Sequence, residues 1–317
     1  MKILGTGSMQ PAMTISNDDL STFLDTSDEW ISTRTGIKTR QVISTETLDA
    51  LAISASQRAL EDAGISPEQL DLIVCSTVQG DHITPATACI IAGGIRAKCP
   101  AFDINAACAG FVFAMDIAEM YLRAGHAKHI LIVGAEAVTR IADWSDRASC
   151  VLFGDGAGAV VAAAGENYLS SRLTTTSNTP VLYAPSFGGN CPYTEHKPSA
   201  PYLHMAGQEV YRFAVSTSAE DLRIVAADAG VSLDDIKYFV LHQANHRILD
   251  AVRKRLKQPE EKFPSNIHRC GNTSSASVPL LLDELNRTGQ LEEGDLLAIS
   301  AFGAGLTTGS CVLRWGK

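Results

Sequence analysis

Only 6% of the 317 residues are aromatic, which excludes a platform on which successive bases stack. Basic residues are also outnumbered: 26 Lys and Arg face 35 Asp and Glu, for a formal net charge of −9. An acidic chain argues against nonspecific nucleic-acid binding, though not against a local basic patch. No run of 18 or more uncharged apolar residues occurs, so no membrane-crossing helix is expected. The opening MKILGTGS has no long apolar stretch of the kind a signal peptide carries. The eight cysteines, Cys75, Cys89, Cys99, Cys108, Cys150, Cys191, Cys270 and Cys311, make no CxxC pair. No His/Cys cluster has zinc-finger spacing, so no metal site is expected. Thiols scattered in this way read as reduced and cytoplasmic. Low-complexity segments are missing, and no Pro/Gly/Ser linker or charge run divides the chain.

What remains is a chain with 45% hydrophobic residues and 25 glycines. That content excludes a mainly disordered protein and suits tight α/β packing with close backbone approaches. At roughly 150 residues per domain, the length allows two domains or one large duplicated fold. The sequence favours duplication. RALEDAGISPEQLDLIV (58–74) and IVAADAGVSLDDIKYFV (224–240) align at a shift of 166 residues, Asp62–Ser66 on Asp228–Ser232. Each reads as a helix stopped by Gly64 or Gly230, a cap at Ser66 or Ser232, and a short buried strand. FGDGAGAVV from Phe153 and FGAGLTTGS from Phe302 form a second echo in the same order. Two halves, 1–165 and 166–317, are therefore expected. Helical spacing marks 48–64, and a helix apolar on most sides marks 109–125. Continuous apolar runs mark strands at 129–138 and 295–305. The region 170–203 reads as exposed strands and a long loop. The class is α/β.

Cys108 follows the strand-like run 101–104 and precedes the 109–125 helix. A thiol there meets unpaired N–H groups and the positive end of the helix dipole, which favour the nucleophilic thiolate. Ala106, Ala107, Ala109 and Gly110 leave room for a substrate. A lone cysteine is most often a buried structural residue, and the other seven are read that way. His242 stands at a strand end in YFVLHQANHRIL, and Asn272 follows Gly271 in HRCGNTSSASVPLLLDEL. Singly, these are a core histidine and a helix cap. Together with Cys108 they form a Cys–His–Asn set of the acyl-transfer kind. Position 274 lies one repeat from Cys108, so the two loops are expected to face each other.

TSDEWISTRTGI, PAFDINAACAGF, FGDGAGAVV, HQANHRI, GNTSSASVPLLLDE and AFGAGLTTG resemble, across essentially the whole chain, the β-ketoacyl-acyl-carrier-protein synthase III family. The resemblance implies the thiolase fold, a duplicated α-β-α-β-α layering, and a homodimer. It implies that an acyl-CoA primer acylates Cys108 and that malonyl-acyl-carrier protein then loses carbon dioxide. The resulting carbanion condenses to 3-oxoacyl-acyl-carrier protein, initiating type II fatty acid biosynthesis. His242 and Asn272 would hydrogen-bond the malonyl thioester oxygen. The backbone N–H groups of Cys108 and Ala304 would form the oxyanion hole for the acyl half. Trp30 and Arg147 match positions that sandwich the CoA adenine, and Arg34 a position near its phosphates. Arg212, Arg247, Lys254 and Arg255 match a basic patch for the acidic carrier protein. The family uses no metal or prosthetic group.

Three departures stand out. Thr84 matches a position that crosses the dimer interface and floors the acyl pocket, where bulky Phe is common, so a longer or branched primer is expected. Thr308 replaces an aromatic residue. The stretch 186–200 resembles little in the family. Other readings are a polyketide-type synthase of a specialised pathway with the same triad, and a silent partner. Chalcone-synthase-like enzymes fit the whole-chain motifs less well. A hydroxymethylglutaryl-CoA synthase would need a Glu general base, and the sequence places none.

Overall fold

Strands that are mostly apolar on both faces build two main sheets, beside two small two-stranded ones, and helices pack against both main sheets. The structure, a computed structural model, describes residues 1–186, 193 and 202–317. The first sheet has the order Lys2–Met9, Asp155–Ala163, His129–Ala137, Leu72–Ser76, Ala101–Ile104. The last three run parallel, and the first two are antiparallel to their neighbours. The second sheet has the order Tyr168–Thr175, Thr307–Arg314, Leu296–Gly303, Tyr238–Leu241, with only the last pair parallel. Strand for strand, the second order repeats the first four strands of the first sheet.

Side chains alternate between layers along each strand. Leu72 and Val74 face the central layer, while Ile73 and Cys75 face the outer helices Leu48–Ala63 and Thr87–Ile95. In the second sheet Leu297 and Ile299 face the centre, and Ala298 and Phe302 the outer helices Gly207–Asp228 and His246–Leu256. The central layer is the helix pair Gly110–Arg123 and Ser277–Arg287, which contributes Phe111, Met115, Leu281 and Leu285 to one core. The layering is therefore α-β-α-β-α. A Cβ on Gly134 would stand 2.8 Å from the Ser275 carbonyl, so the turn that starts the second central helix lies directly on the first sheet.

Gly64 and Gly230 end their helices at φ 66° and 68°, a left-handed geometry that glycine adopts without strain. Tyr168–Thr175 is a half-buried edge strand, and Leu182–Tyr183 pairs with His204–Met205. Of the stretch 186–200, all but Ser186 and Tyr193 lies outside the described residues. Thr308 is buried and hydrogen-bonds Asp221 Oδ2 at 2.8 Å and Thr174 at 2.6 Å, so it serves the second sheet.

Candidate active site

Cys108 sits in the turn between Ala101–Ile104 and the central helix Gly110–Arg123. Ala107 holds a left-handed φ of 49°, and its N–H donates to Asn105 Oδ1 at 3.0 Å. Gly303 backs this turn so closely that a Cβ there would lie 2.6 Å from the Cys108 nitrogen. Burial pushes the Cys108 thiol up to about 12. The Ser274 hydroxyl, 3.2 Å from Sγ, pulls it down, and the Glu136 carboxylate pushes it further up. The thiolate expected from the helix terminus is thus overruled by desolvation. For this thiol to act as a nucleophile, its proton has to be taken up by a neighbouring group.

His242 ends the strand Tyr238–Leu241, and its N–H donates to the Ser300 carbonyl at 2.8 Å across the parallel pair. Phe302 packs its ring edge to face against the imidazole, with centroids 5.3 Å apart. Nδ1 lies 2.7 Å from Ser277 Oγ. That oxygen also accepts from Gln243 N at 3.3 Å, and among the described residues its hydroxyl has no other acceptor, so it is assigned as the donor to Nδ1, which leaves the ring hydrogen on Nε2. Burial drives the imidazole down to about 3, so it is neutral at working pH. The ring is therefore a fixed N–H donor.

Asn272 is held by both of its backbone groups: its N–H donates to the Leu152 carbonyl at 2.8 Å, and its carbonyl accepts from Gly154 N at 3.1 Å. Its Oδ1 accepts from Ser274 N at 2.9 Å, which assigns the other end of the amide as the NH2 donor. Cys108, His242 and Asn272 line one cavity of about 330 Å³ with Ala304, Phe302 and Ser274. Apolar side chains, among them Val138, Ile141, Leu152, Leu203 and Met205, make most of its wall. The arrangement offers a thiol and two neutral donors in a largely apolar cavity.

Sequence reasoning missed Glu136, Ser274 and Ser277 as members of this site. Glu136 belongs to the strand His129–Ala137 and is buried beneath Ser274, outside the cavity lining. Its Oε1 accepts from Ser275 Oγ at 2.7 Å and lies 3.0 Å from Ser274 Oγ; its Oε2 accepts from Val78 N at 3.0 Å. Burial raises its carboxyl to about 7. One signal was legible: a single carboxylate inside the continuous apolar run HILIVGAEAV.

Trp30 and Arg34 line the cavity, and both Arg34 and Arg147 lie over the Trp30 ring, 4.7 and 5.2 Å from its centroid. Arg147 also pairs with Asp25 Oδ2 at 3.0 Å. An adenine between Trp30 and Arg147 would need about 7 Å, two stacking distances, so Arg147 would swing outward. Arg212, Arg247, Lys254 and Arg255 are exposed on the helices Gly207–Asp228 and His246–Leu256, whose Tyr211 and Ile248 line the cavity. Lys254 and Arg253 share Asp250, each at 2.6 Å, so the RKR string is partly neutralised. Thr84 does not join the cavity within one chain. It is exposed in the loop before the helix Thr87–Ile95, next to Ile83 at 95% exposure.

Residues 102–178 match the family described as 3-oxoacyl-[acyl-carrier-protein] synthase III, and residues 226–315 match the C-terminal region of the same family. The beta-ketoacyl-[acyl-carrier-protein] synthase III of Clostridium acetobutylicum is 43% identical, covering 100% of this chain and 99% of the relative. The crystal structure of 3-oxoacyl-[acyl-carrier-protein] synthase III from Aquifex aeolicus superposes with a TM-score of 0.93 at 42% identity, over 99% of each chain. The priming beta-ketosynthase of the R1128 polyketide biosynthetic pathway superposes with a TM-score of 0.94 at 36% identity, over 100% of this chain and 96% of that one.

Proposed function

The chain belongs to the 3-oxoacyl-[acyl-carrier-protein] synthase III family of condensing acyltransferases, and from that premise we propose a decarboxylating Claisen condensation that starts type II fatty acid synthesis. The acyl group of a CoA thioester moves to Cys108, and the Cys108 and Ala304 amides receive the oxyanion of that step. Malonyl-acyl-carrier protein then occupies the cavity. Loss of carbon dioxide places negative charge on its thioester oxygen, where His242 Nε2–H and the Asn272 amide donate. Both donors are neutral and fixed before the charge appears, so they stabilise the transition state more than the ground state. The enolate attacks the acyl-Cys108 carbonyl, and the thiol is regenerated.

One observation carries this reading: a cysteine, a neutral histidine and an amide NH2 line a single apolar cavity. The Trp30–Arg147 pair at its rim suits the CoA adenine, and Arg34 the phosphates. The exposed Arg212, Arg247, Lys254 and Arg255 suit the acidic carrier protein. Exposed Ile83 and Thr84 suit a homodimer in which Thr84 floors the partner's acyl pocket. The chemistry calls for no metal or prosthetic group. Among the described residues, no helix is long and apolar enough to cross a membrane. A cytoplasmic site of action goes with the carrier-protein substrate. The likeness to the polyketide priming synthase supports a second reading, with the same chemistry in a specialised pathway.

The test is intact mass after mixing the protein with acyl-CoAs from acetyl to dodecanoyl, branched chains included. An adduct mapped to Cys108, followed by 3-oxoacyl-carrier protein on adding malonyl-carrier protein, is expected. No adduct with any acyl-CoA overturns the reading.

A further inference from the structure

Beneath Cys108 lies a chain of polar groups that the condensation scheme leaves unused. The Glu136 carboxyl is 1% exposed, and among the described residues no cation is bonded to it. Three of its four contacts are structural: the Val78 amide, and the hydroxyl and amide of Ser275. The fourth, Ser274 Oγ at 3.0 Å, is also 3.2 Å from Cys108 Sγ. One hydroxyl hydrogen cannot serve both neighbours. With the thiol protonated, S–H donates to Ser274 Oγ, and Ser274 O–H donates to Glu136. The hydrogens then already point along one path.

We propose that Ser274 and Glu136 form a proton relay that takes the Cys108 thiol proton during acylation and returns it after condensation. Cys108 Sγ bonds to the thioester carbon while its proton passes to Ser274 Oγ and the Ser274 proton to Glu136. The bond from carbonyl carbon to CoA sulfur breaks, and the CoA thiolate takes a proton from water. When the enolate displaces Cys108, the electron pair returns to Sγ, and the Glu136 proton returns to it through Ser274. Protons balance: one is taken from solvent per turnover, by the departing CoA. Ser274 touches the reacting sulfur; Glu136 acts through Ser274 and is a positioning group for the proton.

A relay acceptor has to ionise near working pH, and burial sets the Glu136 carboxyl at about 7. Its titratable neighbours are few. The nucleophile turn presents Cys108, and the adjacent strand Leu72–Ser76 presents Cys75, whose buried thiol is raised well above its ordinary value. The other flanking strand carries Asp155, whose carboxylate is bonded to Thr139 and the Ile43 amide. The Asn272 loop offers hydroxyls and amides only. Among the described residues, nothing cationic holds Glu136 permanently ionised.

This inference rests on the acyl-Cys108 reading, so the test includes a probe that does not. Iodoacetamide alkylation of Cys108, followed by intact mass from pH 5 to 10, needs no acyl substrate. In the wild type, both alkylation and acylation by acyl-CoA should rise through about pH 7. Glu136→Gln should lose that limb and slow acylation at pH 7 by about 100-fold, as for loss of a general base. Ser274→Ala, which leaves the carboxyl and its other partners in place, should lose the same limb. The double variant should be no slower than either single one, as for residues acting as a unit. A wild-type profile in Glu136→Gln or Ser274→Ala overturns the relay, as do additive losses in the double variant. If Glu136→Gln fails to fold, Ser274→Ala decides alone. A relay-type alkylation profile in a protein that no acyl-CoA labels sinks the function reading and leaves the relay standing.

Discussion

Cys108 and Ser274 stand one internal repeat apart, 166 residues, and touch: Ser274 Oγ lies 3.2 Å from Cys108 Sγ. Each precedes a central helix, Gly110–Arg123 or Ser277–Arg287, and each turn carries a non-glycine residue at left-handed φ, 49° at Ala107 and 50° at Ser274. Left-handed backbone is uncommon outside glycine and gathers where a turn must aim a side chain. Duplication therefore places the Cys108 thiol on one half and its hydroxyl partner, Ser274, at the equivalent point of the other. The same junction brings Asn272, two residues before Ser274, to the cavity.

The triad residues should separate the two halves of the reaction. Cys108→Ala should form no acyl adduct and release no condensation product. His242→Ala and Asn272→Ala should still accept the acyl group, since neither makes a hydrogen bond to Sγ, yet lose decarboxylation by 100-fold or more, as for removal of an oxyanion donor. Rapid-quench mass spectrometry of the acyl adduct, with carbon dioxide release measured in parallel, tells the steps apart. Condensation retained by Cys108→Ala would refute the mechanism.

Gly303→Ala should damage acylation more than folding. Its Cβ would meet Cys108 N at 2.6 Å and the Ala107 Cβ at 3.0 Å, and backbone cannot step aside as a flexible side chain would. Overpacking of this kind costs about 1–3 kcal/mol. The displacement falls on the Cys108 amide, one of the two proposed oxyanion donors, where misplacement on the order of 1 Å costs about 100-fold. A melting curve lowered only modestly, beside a collapsed rate of adduct formation, is the expected pair of results.

Much of this site was readable before any coordinates. The strand-end His242, the Gly271–Asn272 turn and the helix-start Cys108 each carry a local signature, and the repeat predicted which loops meet. Glu136 escaped because a single carboxylate in an apolar strand has no periodic partner; its meaning depends on Ser274, 138 residues away. The thiol's basicity escaped for another reason. A helix terminus is visible in sequence, but the depth of burial that outweighs it is set by tertiary packing. Likewise, the sharing of Asp250 by Arg253 and Lys254 depends on helix geometry, and it dilutes a charge run that looked simpler on paper.

His242 should make the protein acid-sensitive. Its imidazole falls from 6.5 to about 3 on folding because burial disfavours the charged form. The unfolded chain therefore binds a proton below about pH 6.5 that the folded chain refuses until about pH 3. Stability from this group is full above 6.5 and is lost as pH falls through that window, by a few kcal/mol at about pH 3. Urea titrations of wild type and His242→Gln from pH 4 to 8 should show the gap between them closing or reversing toward acid. Glu136, raised to about 7, works the other way, since its contribution is present below about 4.5 and lost as pH rises to 7. A gap that stays constant from pH 4 to 8 would mean that the folded His242 takes up its proton as readily as the unfolded chain does, and would refute the burial effect.

The exposed cations near the cavity mouth should act on the carrier-protein half alone. Arg212, Arg247 and Arg255 are exposed, and the Arg247 guanidinium donates to the Thr33 carbonyl at 3.0 Å. Lys254 is already paired with Asp250 at 2.6 Å, so its loss should matter least. Charge-reversing Arg212→Glu and Arg255→Glu should raise KM for malonyl-carrier protein several-fold, most at low salt, where screening is weakest. Acylation by acyl-CoA should be unchanged by those two, because neither residue lines the cavity. Equal losses in both half-reactions would place these side chains in folding or CoA binding instead.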